Sequence, residues 1–363
     1  MFELQSSDRN AHPHPGPHAT VTSVRTVVRD GWYNAFTDLF WWKGYYWLSH
    51  VRCLGHHVEL TSAPTSGNSF SVILRSRDLR RWHEGQVFEA PQGIANGSGV
   101  GQCHFCTHGD RLYGFFPEET LEADVRLRMF VSWTDDGVNW SKPQATRMGD
   151  LNPYTWRVRY HEGKFYASIS YMREHGPLDL VVSDDGVDWS RIAEIAASDP
   201  HDYSEESDLH FRPDGELWCV VRSESPGLMY WARPPYTDWQ GGREIGLCDA
   251  PTMCEVDGET FVAGRIEAPR FPGVDARAFP QGTTGLYHLT RDSARPLIAM
   301  PVGGDASYAG LVSPGPGKLL MSYYSDVAYW TGILKPKSAE RYQYKATDCD
   351  IYLAEIDVVG QSL

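Results

Sequence analysis

The sequence predicts an all-β fold, a six-bladed β-propeller, and three observations carry that prediction. Six hairpin-like stretches recur along the 363 residues, a turn leading to tryptophan recurs between them, and helical periodicity is nowhere sustained. Composition agrees, because 41% of residues are hydrophobic and 13 Trp, 19 Tyr and 14 Phe supply both a large core and side chains that strands favour.

Taken in order, residues 1–20 are rich in His and Pro and are expected to form a flexible tail. Val21–Val28 supplies a first strand. Six hairpins follow: AFTDLFWWKGYYWLSHV, GQCHFCTHGDRLYGFF, YTWRVRYHEGKFYASISY, SEESDLHFRPDGELWCVVR, APTMCEVDGETFVAGR and SYAGLVSPGPGKLLMSYY. Their turns hold Gly44, Gly109, Gly163, Gly215, Gly258 and Gly317, spaced 43 to 65 residues apart, the length of a blade with its loops. In the fourth, Leu209 and Phe211 alternate with polar neighbours before Pro213-Asp214-Gly215, and Leu217, Cys219 and Val221 alternate after it, as in two half-buried antiparallel strands.

Between hairpins, Ser76-Arg77-Asp78 leads to Trp82, Thr134-Asp135-Asp136-Gly137 to Trp140, Ser183-Asp184-Asp185-Gly186 to Trp189, and Pro234-Pro235-Tyr236-Thr237-Asp238 to Trp239. Each reads as an outer turn followed by a core Trp. Two hairpin strands and two outer strands make a four-stranded blade, and six blades make a ring. Ile351–Val358 supplies the last strand, so the ring is expected to close by pairing it with Val21–Val28, in one domain over residues 21–359.

The net charge of −14 and the lack of a basic run argue against nucleic acid as a partner. No stretch approaches the roughly 20 apolar residues of a membrane helix. The first residues lack the apolar centre of a secretory signal, so the expected location is the cytoplasm, and oligomeric state is left open. Seven cysteines, an odd number spread through strand-like sequence, fit reduced and buried thiols better than a disulfide framework. Cys103 and Cys106, beside His104 and His108, lack the second ligand pair of a structural zinc site and would face opposite sides of a strand; neither metal nor cofactor is expected.

Aligning the hairpins on their glycines puts Ala35, Val100, Tyr154, Glu206, Asp249 and Tyr308 nine residues before the turn, at one mouth of the ring. Seven residues after the turn stand Val51, Phe116, Ser170, Arg222, Arg265 and Tyr324, with Arg52 one further on. Carboxylates, a phenol and guanidiniums are thus expected to converge.

At these positions the chain resembles the sialidase-like glycosidases of bacteria. The motifs are NAFTDL with Arg52 and His57 behind it, TWRVRY, the Glu206-to-Arg222 hairpin followed by PPYTDW, and GGDASYAGLV followed by SYYS and IYLA. The outer turns are similar to the Asp-box, Ser-x-Asp-x-Gly-x-x-Trp, with 183–189 the nearest match, and a structural role is expected of Asp136, Asp185, Trp140 and Trp189. The resemblance implies Tyr308 as nucleophile, Glu206 as the base that polarises it, and Arg222 and Arg265 as a clamp on a sugar carboxylate. A phenol suits such an attack because it stays neutral until a neighbouring base takes its proton.

The chain departs from the sialidase pattern at two points. Asn34-Ala35-Phe36 stands where the first clamp arginine is expected, leaving Arg52 or Arg157 to replace it. No Asp follows Arg52 at the acid/base position, where His56, His57 and Glu59 stand; His57 matches the relatives best and Asp38 is the other nearby acid. Trp156 reads as a sugar platform or as channel filling, His104 as a substrate contact or an interior imidazole, and Tyr324 as a further substrate contact. The expected function is exo-acting hydrolysis of a glycosidic bond at a terminal acidic sugar, with a carbohydrate as the only partner. The alternatives are an inverting hydrolase or lyase on uronic-acid glycans using His57, Asp38 and Tyr308, and a glycan-binding propeller without turnover.

Overall fold

The computed structural model describes residues 16–53, 69–89, 99–119, 127–149, 152–171, 176–198, 204–223, 226–267, 282–302, 306–331, 333–334 and 348–360. Within them the hairpins pair into six antiparallel sheets, the blades of a six-bladed β-propeller. The innermost strands are Tyr33–Trp42, His104–His108, Pro153–His161, Ser207–Phe211, Asp249–Val256 and Ala306–Gly315. Each packs beside the next in that order and the last packs beside the first, so the ring is closed.

Blades one to five are each continuous in sequence, but blade six is composite. From the axis outward it contains Ala306–Gly315, Lys318–Ser325, Asp350–Val359 and the N-terminal strand His18–Val28. The expected pairing of the chain's two ends is present and longer than its sequence signal, running from His18 opposite Val359 to Val28 opposite Ile351. Ala19 and Val21 of that strand pack on a buried cluster containing Phe261, Leu319 and Ile356, so the closing strand covers apolar surface as well as completing a ladder. Where blade six meets blade one the backbones touch: a Cβ on Gly310 would lie 2.2 Å from the backbone nitrogen of Leu39.

The outer turns consume their own polar groups. Ser183 Oγ donates to Asp185 Oδ1 at 3.0 Å, and the same oxygen accepts the N–H groups of Val187 and Asp188 at 2.8 Å. Asp136 and Asp78 repeat the arrangement with the N–H groups of Val138 and Asn139 and of Arg80 and Arg81. One expectation is corrected, because Trp82, Trp140, Trp189 and Trp239 are half-buried rather than core residues. The reason is local: three of these indoles donate Nε1–H to the carbonyls of their own turns, at Leu79, Gly186 and Tyr236, which holds them at the rim. The seven cysteines stand as thiols, six buried and Cys254 half-buried. No helix among the described residues is long and apolar enough to cross a membrane.

Candidate active site

The inner strands break register at one end of the ring. Pairing shifts between Ala35 and Asp38, Thr155 and Val158, Asp249 and Thr252, and Ser307 and Gly310. An extra residue in a strand bends it and re-aims the neighbouring side chains. Within three of these breaks Phe36, Ala250 and Tyr308 take positive φ, 56°, 52° and 50°, which for residues with a Cβ costs about 1–3 kcal/mol each. In blade four the irregularity is backbone pairing of two residues with one. Glu205 N–H donates to the Arg222 carbonyl at 3.1 Å and Arg222 N–H donates to the Glu206 carbonyl at 2.8 Å, so both glutamates stand opposite Arg222.

This backbone gathers five charged groups and a phenol. Arg222 Nη1 donates to Glu206 Oε1 at 2.9 Å and to Oε2 at 2.8 Å, and lies 3.2 Å from Tyr308 Oη. Tyr308 Oη donates to Glu206 Oε1 at 2.8 Å, and the Ala250 N–H donates to Oε2 at 3.1 Å. Glu205 Oε2 lies 3.4 Å from the same Arg222 nitrogen. Asp249 spans the two guanidiniums, accepting from Arg265 Nη1 at 2.8 Å and lying 3.6 Å from Arg222 Nε. The Arg265 guanidinium carbon sits 5.8 Å from the centre of the Tyr308 ring.

The electrostatics follow from burial and pairing. Burial and then the Glu206 charge push the Tyr308 phenol well above its ordinary range, with Arg222 and Arg265 pulling the other way, so the phenol carries its proton at neutral pH. Burial works against the Arg222 charge, but Glu206, Tyr308, Asp249 and Glu205 more than offset it, and the guanidinium stays protonated.

Beneath this cluster lies a second layer that plugs the channel. Trp156 is 1% exposed, donates Nε1–H to the Pro251 carbonyl at 3.0 Å and meets the Tyr308 ring edge-on at 5.2 Å between centres. It fills the channel and is not a sugar platform. Arg157 donates to Asp38 Oδ1 at 2.6 Å and to the Ala309 carbonyl at 3.0 Å, crossing the ring from blade three to blades one and six. Asp38 spends its remaining capacity on the N–H groups of Leu39 and Phe105, both at 2.9 Å. Burial favours its neutral form, yet the Arg157 charge more than offsets it and holds the carboxyl well below the usual carboxylate range.

Several expected site residues therefore stand elsewhere. Asp38 and Arg157 line a cavity of about 360 Å³ with Arg159, His210 and Glu255, reached along the inner strands toward the hairpin turns and away from Glu206. His104 is buried against Trp156 at 4.3 Å between ring centres, and burial followed by the Arg157 charge pushes its pKa down to about 4, so it is a neutral interior imidazole. Tyr324 is fully buried behind Tyr308, 6.1 Å between ring centres, and contacts the nucleophile candidate and not the mouth. Arg52 pairs with Asp30 at 3.2 Å and Glu84 at 3.9 Å, which turns it from the clamp. His57 lies outside the described residues. Glu206, Arg222, Tyr308 and Arg265 are brought together.

The alignment on glycines also needs two corrections. Ala35 pairs with Val51, Tyr154 with Ser170 and Asp249 with Arg265 as expected. Val100 instead pairs with Glu118, in a two-residue strand apart from His104–His108, and Ser307 rather than Tyr308 pairs with Tyr324. Blade six contains a further break between Val312 and Gly315, so counting back from Gly317 slips by one. Glu205 was missed because alternation sends neighbours of a strand to opposite faces, and only the two-to-one pairing brings it to Arg222. Asp249 was visible in the alignment, but its bridging of two arginines was not.

No family model and no curated protein matches the chain. Its fold is similar to that of a Dyadobacter fermentans protein of unknown function, with TM-score 0.75 and 15% identity over 94% of this chain and 100% of that one. It is also similar to Trypanosoma rangeli sialidase, with TM-score 0.64 and 9% identity over 90% of this chain and 55% of that one. A Hadza microbial sialidase gives TM-score 0.59 and 14% identity over 81% of this chain and 64% of that one. The chain thus spans less than two thirds of either sialidase. At these identities the likeness is one of fold, a sialidase-like six-bladed propeller.

Proposed function

We propose that the protein is a glycoside hydrolase acting from the nonreducing end of a glycan on a terminal acidic sugar, with Tyr308 as nucleophile and Glu206 as its base. The observation that carries this reading is the 2.8 Å hydrogen bond from Tyr308 Oη to Glu206 Oε1, buried and bridged by one nitrogen of Arg222. A phenol that keeps its proton at neutral pH needs a base in contact to attack a carbon, and here the base already holds that hydrogen bond. Arg222 offsets the charge that Glu206 loses and Tyr308 gains as the proton moves. Trypanosoma rangeli sialidase has been captured as a covalent intermediate with 2,3-difluorosialic acid, which supports covalent chemistry on this fold.

Arg222 and Arg265 are the groups that an acidic sugar would meet, in a clamp of two arginines with Asp249 between them. Burial and mutual contact of Glu206 and Tyr308 favour turnover over simple glycan binding. Glu206→Gln keeps size and removes the base; Tyr308→Phe removes the attacking oxygen. Each variant is expected to fold and to lose at least about 100-fold in kcat, the usual contribution of a positioned acid or base. The double variant should be little worse than either single one, because the pair acts as a unit. Full turnover by Tyr308→Phe on a panel of acidic-sugar glycosides rules out the nucleophile assignment.

A further inference from the structure

A nucleophile needs its oxygen held in one place, yet Tyr308 stands where the inner strand of blade six breaks register. Tyr308 and Ala309 lie between the paired residues Ser307 and Gly310, with φ of 118° at Ser307 and 50° at Tyr308. Residues with a Cβ keep such angles only where their surroundings fix them from several sides. Resting on the reading of Tyr308 as nucleophile, we propose that Thr37 and Thr252 are positioning residues. Their hydroxyls clamp the backbone of this break from the two flanking blades and hold the phenol on Glu206.

Thr37 Oγ1, on the inner strand of blade one, donates to the Tyr308 carbonyl at 2.8 Å. Thr252 Oγ1, on the inner strand of blade five, donates to the Ala309 carbonyl at 2.6 Å, beside the bond that Arg157 makes to the same oxygen. A carbonyl only accepts, so the Thr37 hydrogen is committed to Tyr308, and Ser322, 2.9 Å from Thr37 Oγ1, is the donor of that contact. Ser322 Oγ in turn accepts the Gly310 N–H at 3.2 Å. The relay thus begins at Gly310 and ends at Tyr308, closing on the break itself. All three hydroxyl residues are buried. The close approach of Gly310 to the Leu39 backbone is what brings Thr37 within reach.

The side chain inherits this fixed backbone. The Tyr308 ring meets Phe36 and Trp156 edge-on, at 4.6 and 5.2 Å between centres, and its oxygen ends 2.8 Å from Glu206 Oε1. Turning the peptide on either side of Tyr308 would swing the Cα–Cβ bond and carry Oη off Glu206 at the far end of the ring. Attack on carbon requires near-contact in line, and misplacement by about 1 Å costs about 100-fold. The threonines exchange no proton with the substrate in this role.

The test pairs steady-state kinetics with a measurement of the phenol that needs no turnover. Thr37→Val and Thr252→Val keep the side-chain shape and lose the hydroxyl, whereas Thr37→Ser and Thr252→Ser retain it. The substrates are the 4-nitrophenyl glycosides of N-acetylneuraminic, glucuronic and galacturonic acids. Each valine variant is expected to lose about tenfold or more in kcat with KM within about twofold, and each serine variant to stay within about threefold of wild type. With tyrosine labelled at Cζ with carbon-13, the Tyr308 resonance is identified by its loss in Tyr308→Phe. It should shift or split in the valine variants and return in the serine variants. Where valine is not accommodated, Thr37→Ala and Thr252→Ala carry the same expectations. A structural role alone would lower the melting temperature and leave kcat and the Tyr308 resonance as in wild type; that outcome overturns the proposal, as does a serine variant as impaired as its valine counterpart. Absence of wild-type turnover across the panel overturns the glycosidase reading, and the Tyr308 resonance then decides by itself whether the threonines hold the phenol.

Discussion

Arg222 and Arg265 leave equivalent strands of neighbouring blades, yet they do different work in the site. One nitrogen of Arg222 reaches both oxygens of Glu206 and the phenol of Tyr308, whereas Arg265 is held by Asp249 and lies over the Tyr308 ring. Lysine at either place keeps the charge and loses the planar fork. Arg265→Lys is therefore expected to raise KM about tenfold with kcat little changed, the signature of lost binding. Arg222→Lys should lower kcat as well, because the atom that couples Glu206 to Tyr308, the proposed base and nucleophile, is gone. Kinetics on an acidic-sugar glycoside check both, and full affinity in both variants would sink the idea of a clamp on an anionic group.

At the scale of the strand, three imidazoles sit in inner or second strands, His50 in Tyr45–Cys53 and His104 in His104–His108 buried, and His210 in Ser207–Phe211 half-buried. Burial pushes each pKa down to about 4, helped for His104 by Arg157 and for His210 by Arg159. The sign follows from linkage: between the ordinary histidine value near 6.5 and about 4, the unfolded chain binds protons that the folded one refuses. Stability is thus complete above pH 6.5 and falls as pH drops, by about 2 kcal/mol per imidazole at pH 5. The melting temperature should fall by on the order of 10 °C between pH 7.5 and pH 5. His104→Leu should flatten part of that slope, and equal melting at the two pH values would show that these rings are not held neutral.

At the scale of the whole molecule, closure depends on one strand at the far end of the chain from its partner. His18–Val28 forms the outer edge of blade six and is tied further by Arg29, whose Nε donates to the buried Asp350 at 2.7 Å. Removing residues 1–30 exposes the edge of Asp350–Val359 and the apolar face that Ala19 and Val21 cover, and should lower the melting temperature by about 10 °C or more, or prevent folding. Removing residues 1–15 leaves the strand in place and should be nearly silent. Thermal melting of the two truncations measures the closure directly, and equal values would contradict it.

What the sequence determined by itself was whatever a period of two and a turn glycine encode. Six hairpins, the four-strand blade and the pairing of Val21–Val28 with Ile351–Val358 were legible because alternation and turn chemistry are local. Glu206 and Arg222 were legible for the same reason, as they close one hairpin. The tertiary structure decided which of the other candidates could meet them. Tyr308 reaches Glu206 only because blade six breaks register at Ser307 and its backbone turns to positive φ, neither of which leaves a periodic trace. Asp38 and Arg157 look like catalytic and clamp residues in one dimension, but their partners, Phe105 and Ala309, lie on other blades, and that packing commits them to the channel plug. Glu205 joins the site through pairing of two residues with one, which depends on the conformation of a single backbone link and not on residue type.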